Sequence, residues 1–364
     1  MAKNLSRIRL LRKKMSENNI RAFLSASPVN VNYISNFSGG DSFLLVTPDK
    51  AFLLTDSRYT EQAREELISG VRIVLTKPNI TEVLANLAKK LHIKEFAFES
   101  ESFTHGQFLR LQKGVKKARF APKANFVETL RQIKDADEIK SLRLAINSAR
   151  DGYFALLKKL RAGATEEQMA TDLEYLTYKH GSRPGSFWSI IGINERAALP
   201  HAPLTKKKLP SKCLLLFDWG GAVNFYCSDT TRTIFLGKPD PLMKKIYTIV
   251  YDAQMRAIEK TRPGIKASEL DFAARSLITK AGYGKNFGHS LGHGIGMQVH
   301  EMPAMNAKST AVLEPGMVFT VEPGIYIPGK GGVRIEDMVL VTKNGYEVLS
   351  QSIPKKLEDV CIEI

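Results

Sequence analysis

The chain has 364 residues, 43% hydrophobic and 25% charged, with 53 Lys and Arg against 37 Asp and Glu, for a formal net charge of +16. That length accommodates two domains with a core each, and the composition excludes a disordered or fibrous chain. Three scattered cysteines, Cys213, Cys227 and Cys361, exclude a disulfide framework or thiolate zinc knot and point to a reducing, cytoplasmic setting; no apolar run approaches the ~18 residues of a membrane span.

Residues 1–14 are basic but run into apolar positions Leu11 and Met15, so the start reads as a first helix rather than a transit peptide. From 21 to 119, strand-like runs at 21–27, 42–48, 51–56, 71–76 and 95–99 alternate with helical stretches near 60–68, 80–91 and 103–112, giving a small α/β domain. Asn79 and Glu82 form a capping-box pattern, and Pro48-Asp49-Lys50 punctuates a hairpin. Basic clusters at Lys113, Lys116, Lys117, Arg119 and Lys123, and at Lys206 to Lys208, lack the interleaved aromatics of a nucleic-acid module and read as solvated surface.

Residues 120–134 read as a connector, and the boundary is placed between domains 1–125 and 126–364. Residues 135–160 carry Ile139, Leu142, Ala145, Ile146 and Ala149 at helical spacing. A faint repeat follows: Lys159-Leu-Arg161-Ala-Gly163 and Lys260-Thr-Arg262-Pro-Gly264, 101 residues apart, each end one helix and precede another. Each pair of helices leads into hairpin material, so the second domain is expected to be α+β with pseudo-twofold symmetry.

Two hairpins carry the chemistry. Asp218 and Asp229 are equidistant from a turn at Val223-Asn224, and Glu322 and Glu336 are equidistant from Gly329, so each pair is expected to face the same side across its strands. Carboxylates that interrupt apolar strands cost several kcal/mol unless compensated. Arg334 neutralises one at most; two divalent cations balance four. His293, in Gly292-His293-Gly294-Ile295-Gly296, adds an imidazole where glycines let backbone approach closely. Oxygen ligands with one imidazole suit Mn²⁺, Co²⁺, Fe²⁺ or a hydrolytic Zn²⁺. Two such ions ~4 Å apart activate water, so this reasoning reaches a dinuclear hydrolase.

Ser228-Asp229-Thr-Thr-Arg-Thr233, Gly292-His293-Gly-Ile-Gly296, Val321-Glu322-Pro-Gly324 and Arg334-Ile-Glu336-Asp337 resemble the creatinase and methionine-aminopeptidase superfamily of "pita-bread" metallopeptidases, in its Xaa-Pro aminopeptidase and Xaa-Pro dipeptidase (prolidase) branch. The resemblance implies an α+β pita-bread catalytic domain after a smaller α/β creatinase-type N-terminal domain, with Asp218, Asp229, His293, Glu322 and Glu336 as ligands to two ions, Mn²⁺ first and Co²⁺ or Zn²⁺ next. Residues 32–39 and 55–59 look like the creatinase-type prodomain, which methionine aminopeptidases lack; it suggests a homodimer or larger.

The same resemblance places His201 near the scissile bond and gives His300 the substrate carbonyl. Glu322 is expected to shuttle the proton, His201 and His300 to stabilise the oxyanion, and Tyr326 and Arg334 to support the ligands, with His289 nearby. Two departures stand out. Residues 189–199 replace the usual Ala-Ser-Gly before Pro200-His201, and Ala304 stands where some dipeptidases carry an arginine for a free proline carboxylate. The latter favours an aminopeptidase acting on peptides with proline in second position. The alternative is a prolidase; a distant one is a non-catalytic, RNA-associated paralogue. A creatine-type amidinohydrolase has no use for the five ligands.

Overall fold

The computed structural model describes residues 4–77, 79–183 and 187–363. The chain divides into two compact units, Met1–Leu130 and Arg131–Ile364.

Unit 1 is built on six strands, β1 Phe23–Ser25, β2 Ser42–Val46, β3 Ala51–Thr55, β4 Val71–Leu75, β5 Glu95–Glu99 and β6 Arg119–Lys123, in the order β4-β3-β2-β1-β5-β6. With them go helices α1 Asn4–Glu17, α2 Pro28–Ser35, α3 Thr60–Glu66, α4 Ile80–Lys90, α5 His105–Gly114 and the short α6 Glu128–Arg131. The α/β alternation is as expected, and Asn79 accepts the Glu82 N–H, the N-cap half of the capping box. Two elements differ from the sequence reading. Residues 119–123 form an edge strand parallel to β5 instead of part of a connector; Pro122, Arg119 and Lys123 hide it, since an edge tolerates proline and charge. Helix α2 falls in a stretch to which the sequence reading assigns no element; Ser27 caps it, Pro28 starts it and Asn36, at φ 68°, ends it.

Unit 2 contains helices α7 Ala136–Leu157, α8 Glu166–Lys179, α9 Pro241–Glu259 and α10 Ala267–Lys280. Strands β7 Ile190–Ile193, β8 Cys213–Trp219, β9 Ala222–Val223, β10 Tyr226–Cys227 and β11 Thr230–Leu236 belong to its first half, and β12 Gly292–Gly294, β13 Glu301–Met305, β14 Val318–Val321, β15 Gly324–Ile327, β16 Gly331–Arg334, β17 Asp337–Val341 and β18 Tyr346–Val348 to its second; β19 Cys361–Ile362 closes the chain. One sheet runs β19-β11-β8-β7, a second β13-β12-β14-β17-β18. The apolar faces of all four helices and both sheets share one core.

The faint repeat is a true pseudo-twofold. Helix α10 begins and ends 101 residues after α8. Gly163 and Gly264 both turn at φ near 90° (90° and 84°), as do Gly181 and Gly282 (99° and 92°). The hydrogen bonds match as well: Gly163 N–H to Leu209 O repeats as Gly264 N–H to Leu313 O, each 2.8 Å, and Leu209 N–H to Ala164 O repeats as Leu313 N–H to Ile265 O. Among the described residues no helix is long and apolar enough to cross a membrane.

Candidate metal centre

The first carboxylate hairpin pairs in a different register from the expected one. The turn falls at Asn224-Phe225, both at positive φ (51° and 69°), one residue later than the sequence reading. Asp218 therefore faces Thr231, not Asp229. A one-residue shift of the turn moves the pairing by two positions, which preserves the face, so Asp229 becomes a diagonal same-side neighbour of Asp218.

In the second hairpin the register is as read: Val321 pairs with Asp337 on one side and Gly324 with Arg334 on the other, leaving Glu322 opposite Glu336 between them. Neither glutamate lies in a strand. The chain switches from one sheet to another there, and the backbone N–H groups reach sideways, Glu322 to Leu291 O at 2.8 Å and Glu336 to Thr231 O at 3.1 Å. Helix α9 braces both breaks: the buried Gln254 amide donates to Val321 O and Ile335 O, each 3.0 Å away.

Ligand atoms of Asp229, His293 and Glu336 all lie within 4.8 Å of one another. His293 Nε2 is 3.5 Å from Asp229 Oδ2 and 3.3 Å from Glu322 Oε1. Its Nδ1 meets Gly294 O at 3.1 Å, which assigns the proton to Nδ1 and leaves the Nε2 lone pair facing the carboxylates. Thr320 links the set, accepting the His293 N–H and donating to Glu322 Oε1 at 3.0 Å.

Arg334 bonds Asp218 Oδ2 at 2.5 Å and reaches Glu336 only through Thr231, whose hydroxyl accepts from Arg334 Nε and donates to Glu336 Oε2 at 2.7 Å. Arg334 also donates to Tyr326 Oη at 3.0 Å, and Tyr326 in turn donates to His289 Nε2 at 2.9 Å. Burial, then Arg334, pushes the His289 imidazole down to about 4, so it is neutral and fits the acceptor role.

The carboxylates present fit bound cations. Asp218 Oδ1, Asp229 Oδ1 and Glu336 Oε1 are buried without a hydrogen-bond partner, and an unsatisfied buried charged acceptor costs upwards of about 1–3 kcal/mol. Burial first, then the neighbouring acids, holds Asp229 and Glu336 well above the usual carboxylate range; burial also raises Glu322. Four acids share one arginine. Oxygen donors with one imidazole are the set that a divalent ion completes.

These groups form one wall of a cavity of about 770 Å³. His201 and His300 stand on it with Arg334, while Phe187, Trp188, Pro203, Leu204 and Val299 supply apolar surface. The His300 ring lies 4.2 Å from that of His293, and burial, then His293, holds it below the usual imidazole range. Ala304 lines the cavity on β13, opposite His293. Sequence reasoning passed over Gln254, Phe187 and Trp188. It also passed over the buried Arg232, which donates to Glu336 O and to Asp337 Oδ1 at 2.7 Å, and Lys355, 2.6 Å from Asp337 Oδ2. Gln254 left a usable trace: it lies on the apolar stripe of α9, four residues from both Val250 and Ile258.

Residues 140–343 match metallopeptidase family M24, and residues 7–133 match the creatinase/prolidase N-terminal domain. The chain is 39% identical over 347 residues to the uncharacterized peptidase YqhT of Bacillus subtilis, covering 95% of this chain and 98% of the relative. It is 38% identical over 341 residues to an Xaa-Pro dipeptidase of Pyrococcus horikoshii, covering 93% and 95%. Among solved structures, an Xaa-Pro dipeptidase from Bacillus anthracis superimposes with a TM-score of 0.94 at 38% identity over 98% of this chain and 99% of that one. An X-Pro aminopeptidase from Thermotoga maritima gives 0.88 at 35% over 94% and 99%.

Proposed function

We propose that this chain, which belongs to metallopeptidase family M24 with a creatinase/prolidase-type N-terminal domain, hydrolyses the bond before proline in Xaa-Pro dipeptides. The observation that carries the hydrolase reading is the cluster of buried acids around His293 with three unpartnered oxygens. Asp218, Asp229, His293, Glu322 and Glu336 would hold two divalent ions, Mn²⁺ first among Mn²⁺, Co²⁺ and Zn²⁺. When bound, such ions make water a nucleophile near neutral pH and polarise a carbonyl.

The protein's own groups do the rest. Glu322, its pKa raised by burial and its Oε1 held by Thr320, is suited to take a proton and return it to the leaving proline nitrogen. His300, kept neutral, and His201 offer N–H donors to the oxygen on which negative charge develops. Arg334 fixes Asp218, and through Tyr326 it links to His289.

The dipeptide preference departs from the aminopeptidase expectation drawn from Ala304. Relatives and structural neighbours named as Xaa-Pro dipeptidases, at 38% identity across nearly the whole chain, support it. The aminopeptidase is the second reading. It is favoured by Ala304 on the cavity wall and by Arg334, the one arginine among the described lining residues, being engaged with Asp218. The test is metal-stripped protein restored with Mn²⁺, Co²⁺ or Zn²⁺ and offered Xaa-Pro dipeptides and Xaa-Pro-Yaa tripeptides. Cleavage of dipeptides alone is expected; preference for tripeptides would turn the assignment to an aminopeptidase. Glu322→Gln should abolish turnover and leave the fold intact.

A further inference from the structure

We infer that Glu166 is a positioning residue for His201, its side chain closing a loop that strand pairing leaves open; the inference deepens the hydrolase reading above and rests on it. After β7 the chain passes through the turn at Asn194–Ala198, reaches Pro200 and His201, and returns along 205–208. The return is docked on the start of α8, where the N–H groups of Glu166 and Glu167 donate to Lys207 O and Thr205 O, each at 3.2 Å.

The Glu166 side chain, 0% exposed, is the buried centre of the links between the outgoing and returning arms, which Lys207 extends by donating to Ile193 O at 3.3 Å and to Glu195, and Arg196 by donating to Pro203 O. Its Oε1 accepts the Ile193 N–H at 3.1 Å, both oxygens accept Arg196 Nε at 2.9 Å, and Oε2 accepts the Thr205 N–H at 3.1 Å and its hydroxyl at 2.6 Å. One carboxylate thus gathers residues 193, 196 and 205, on either side of His201. Its charge is favoured at the first position of a helix and by the guanidinium. The apex is held separately, by Arg334 Nη1 donating to Pro200 O at 3.2 Å.

The pseudo-symmetric half shows what the carboxylate replaces. There the loop that ends at His300 is closed by backbone pairing, with Gly292 opposite Met305 and His293 opposite Ala304. The residue 101 positions after Glu166 is Ala267, whose N–H still docks on Ala311 O but whose side chain bonds nothing. The half with a hairpin needs no clamp; the half without one has Glu166.

The test compares Glu166→Gln, His201→Ala and the double variant, with wild type, in Xaa-Pro dipeptide hydrolysis. Glu166→Gln is expected to lower kcat about 10- to 100-fold, as a misplaced group does, with KM and Mn²⁺ affinity little changed. In the His201→Ala background it should lower kcat less than about twofold further, because the two act as one unit. A second readout does not depend on turnover: in metal-free protein, the imidazole proton resonance that His201→Ala removes should shift or broaden in Glu166→Gln, while the other histidines hold. Multiplicative kcat losses, or an unmoved His201 resonance in a folded variant, would overturn the inference. A shifted resonance in a protein that cleaves no Xaa-Pro bond would sink the hydrolase reading and leave the positioning role standing. Should Glu166→Gln fail to fold, Arg196→Gln breaks the same clamp from its more exposed side and carries the same expectations.

Discussion

Asp218 stands on β8, whose ladder continues past it with Trp219 still paired to Thr230, and Asp229 immediately precedes that last pair; behind them Tyr153 of α7 stacks on Trp219 with ring centroids 4.3 Å apart. Glu322 and Glu336 stand where the ladder breaks, and behind them the residue 101 positions after Tyr153 is Gln254, whose amide bonds the carbonyls beside the breaks. One half of unit 2 is backed by an aromatic stack, the other by a polar network of Gln254, Arg232, Asp337 and Lys355. The difference follows from the backbone. A ladder that stays paired through Asp218 and Trp219 satisfies its own polar groups there and needs only apolar packing behind it, whereas a break leaves peptide groups that buried side chains must satisfy.

Removing a member of the polar network is therefore expected to cost most. Asp337, fully buried, would be raised by burial alone, yet Arg232 and Lys355 hold it down at about 2, so it is ionised in the folded protein. Arg232→Ala leaves that charge short of its main partner and strips a donor from Glu336 O, a loss of about 3–5 kcal/mol in the denaturant unfolding free energy. A cost below about 1 kcal/mol would mean that Lys355 and Ser350, whose hydroxyl donates to Asp337 Oδ1 at 2.6 Å, suffice and that the network is not what holds the break.

Metal loading tests whether the two halves meet in one site. With free Mn²⁺ at a hundredfold the dissociation constant of each site, unfolding stability should rise by about 2.7 kcal/mol per bound ion over the stripped protein. Asp229→Ala from one half and Glu336→Ala from the other should each remove most of that gain. Full stabilisation surviving in either variant would show that its half does not share the ion.

Gln254→Leu keeps the volume and deletes the amide. It should cost about 2 kcal/mol through the Val321 and Ile335 carbonyls, and it should weaken Mn²⁺ binding because both glutamates follow those carbonyls in the chain. Unchanged metal affinity at reduced stability would separate the brace from the ligands.

How much of this was legible in the sequence depends on whether the signal is local. Helical spacing placed α7, and the Gly329 turn placed Glu322 opposite Glu336, because turn chemistry and side-chain period are properties of neighbouring residues. The first hairpin was read one turn residue early: Phe225 at φ 69° is a conformation that residue type seldom adopts, so Asn224 was assigned the wrong place in the turn. Glu166 was hidden for the opposite reason. An acid at the start of a helix is what the helix dipole favours on any surface, and nothing in its neighbours says that the side chain is buried against residues 193 and 205. The partners of Arg232, more than 100 positions away at Asp337 and Ile353, exist only once the sheets have assembled.

The smallest effect is expected on the apolar side. Tyr153→Leu removes the stack on Trp219 and the edge contact with Phe217, 5.6 Å away, while leaving a side chain that still fills much of the space. The loss should be about 1 kcal/mol, the order of an aromatic pair beyond its buried area. Mn²⁺ affinity should not move, because the β8 and β11 ladder, rather than the ring behind it, sets where Asp218 and Asp229 point. Measured beside Gln254→Leu, this variant isolates the backing from the ligands: equal losses of metal affinity in both would show that any disturbance of the core reaches the ions. A loss confined to Gln254→Leu means that the broken half of the pseudo-twofold is where side chains, and not the sheet, hold the ligands in place.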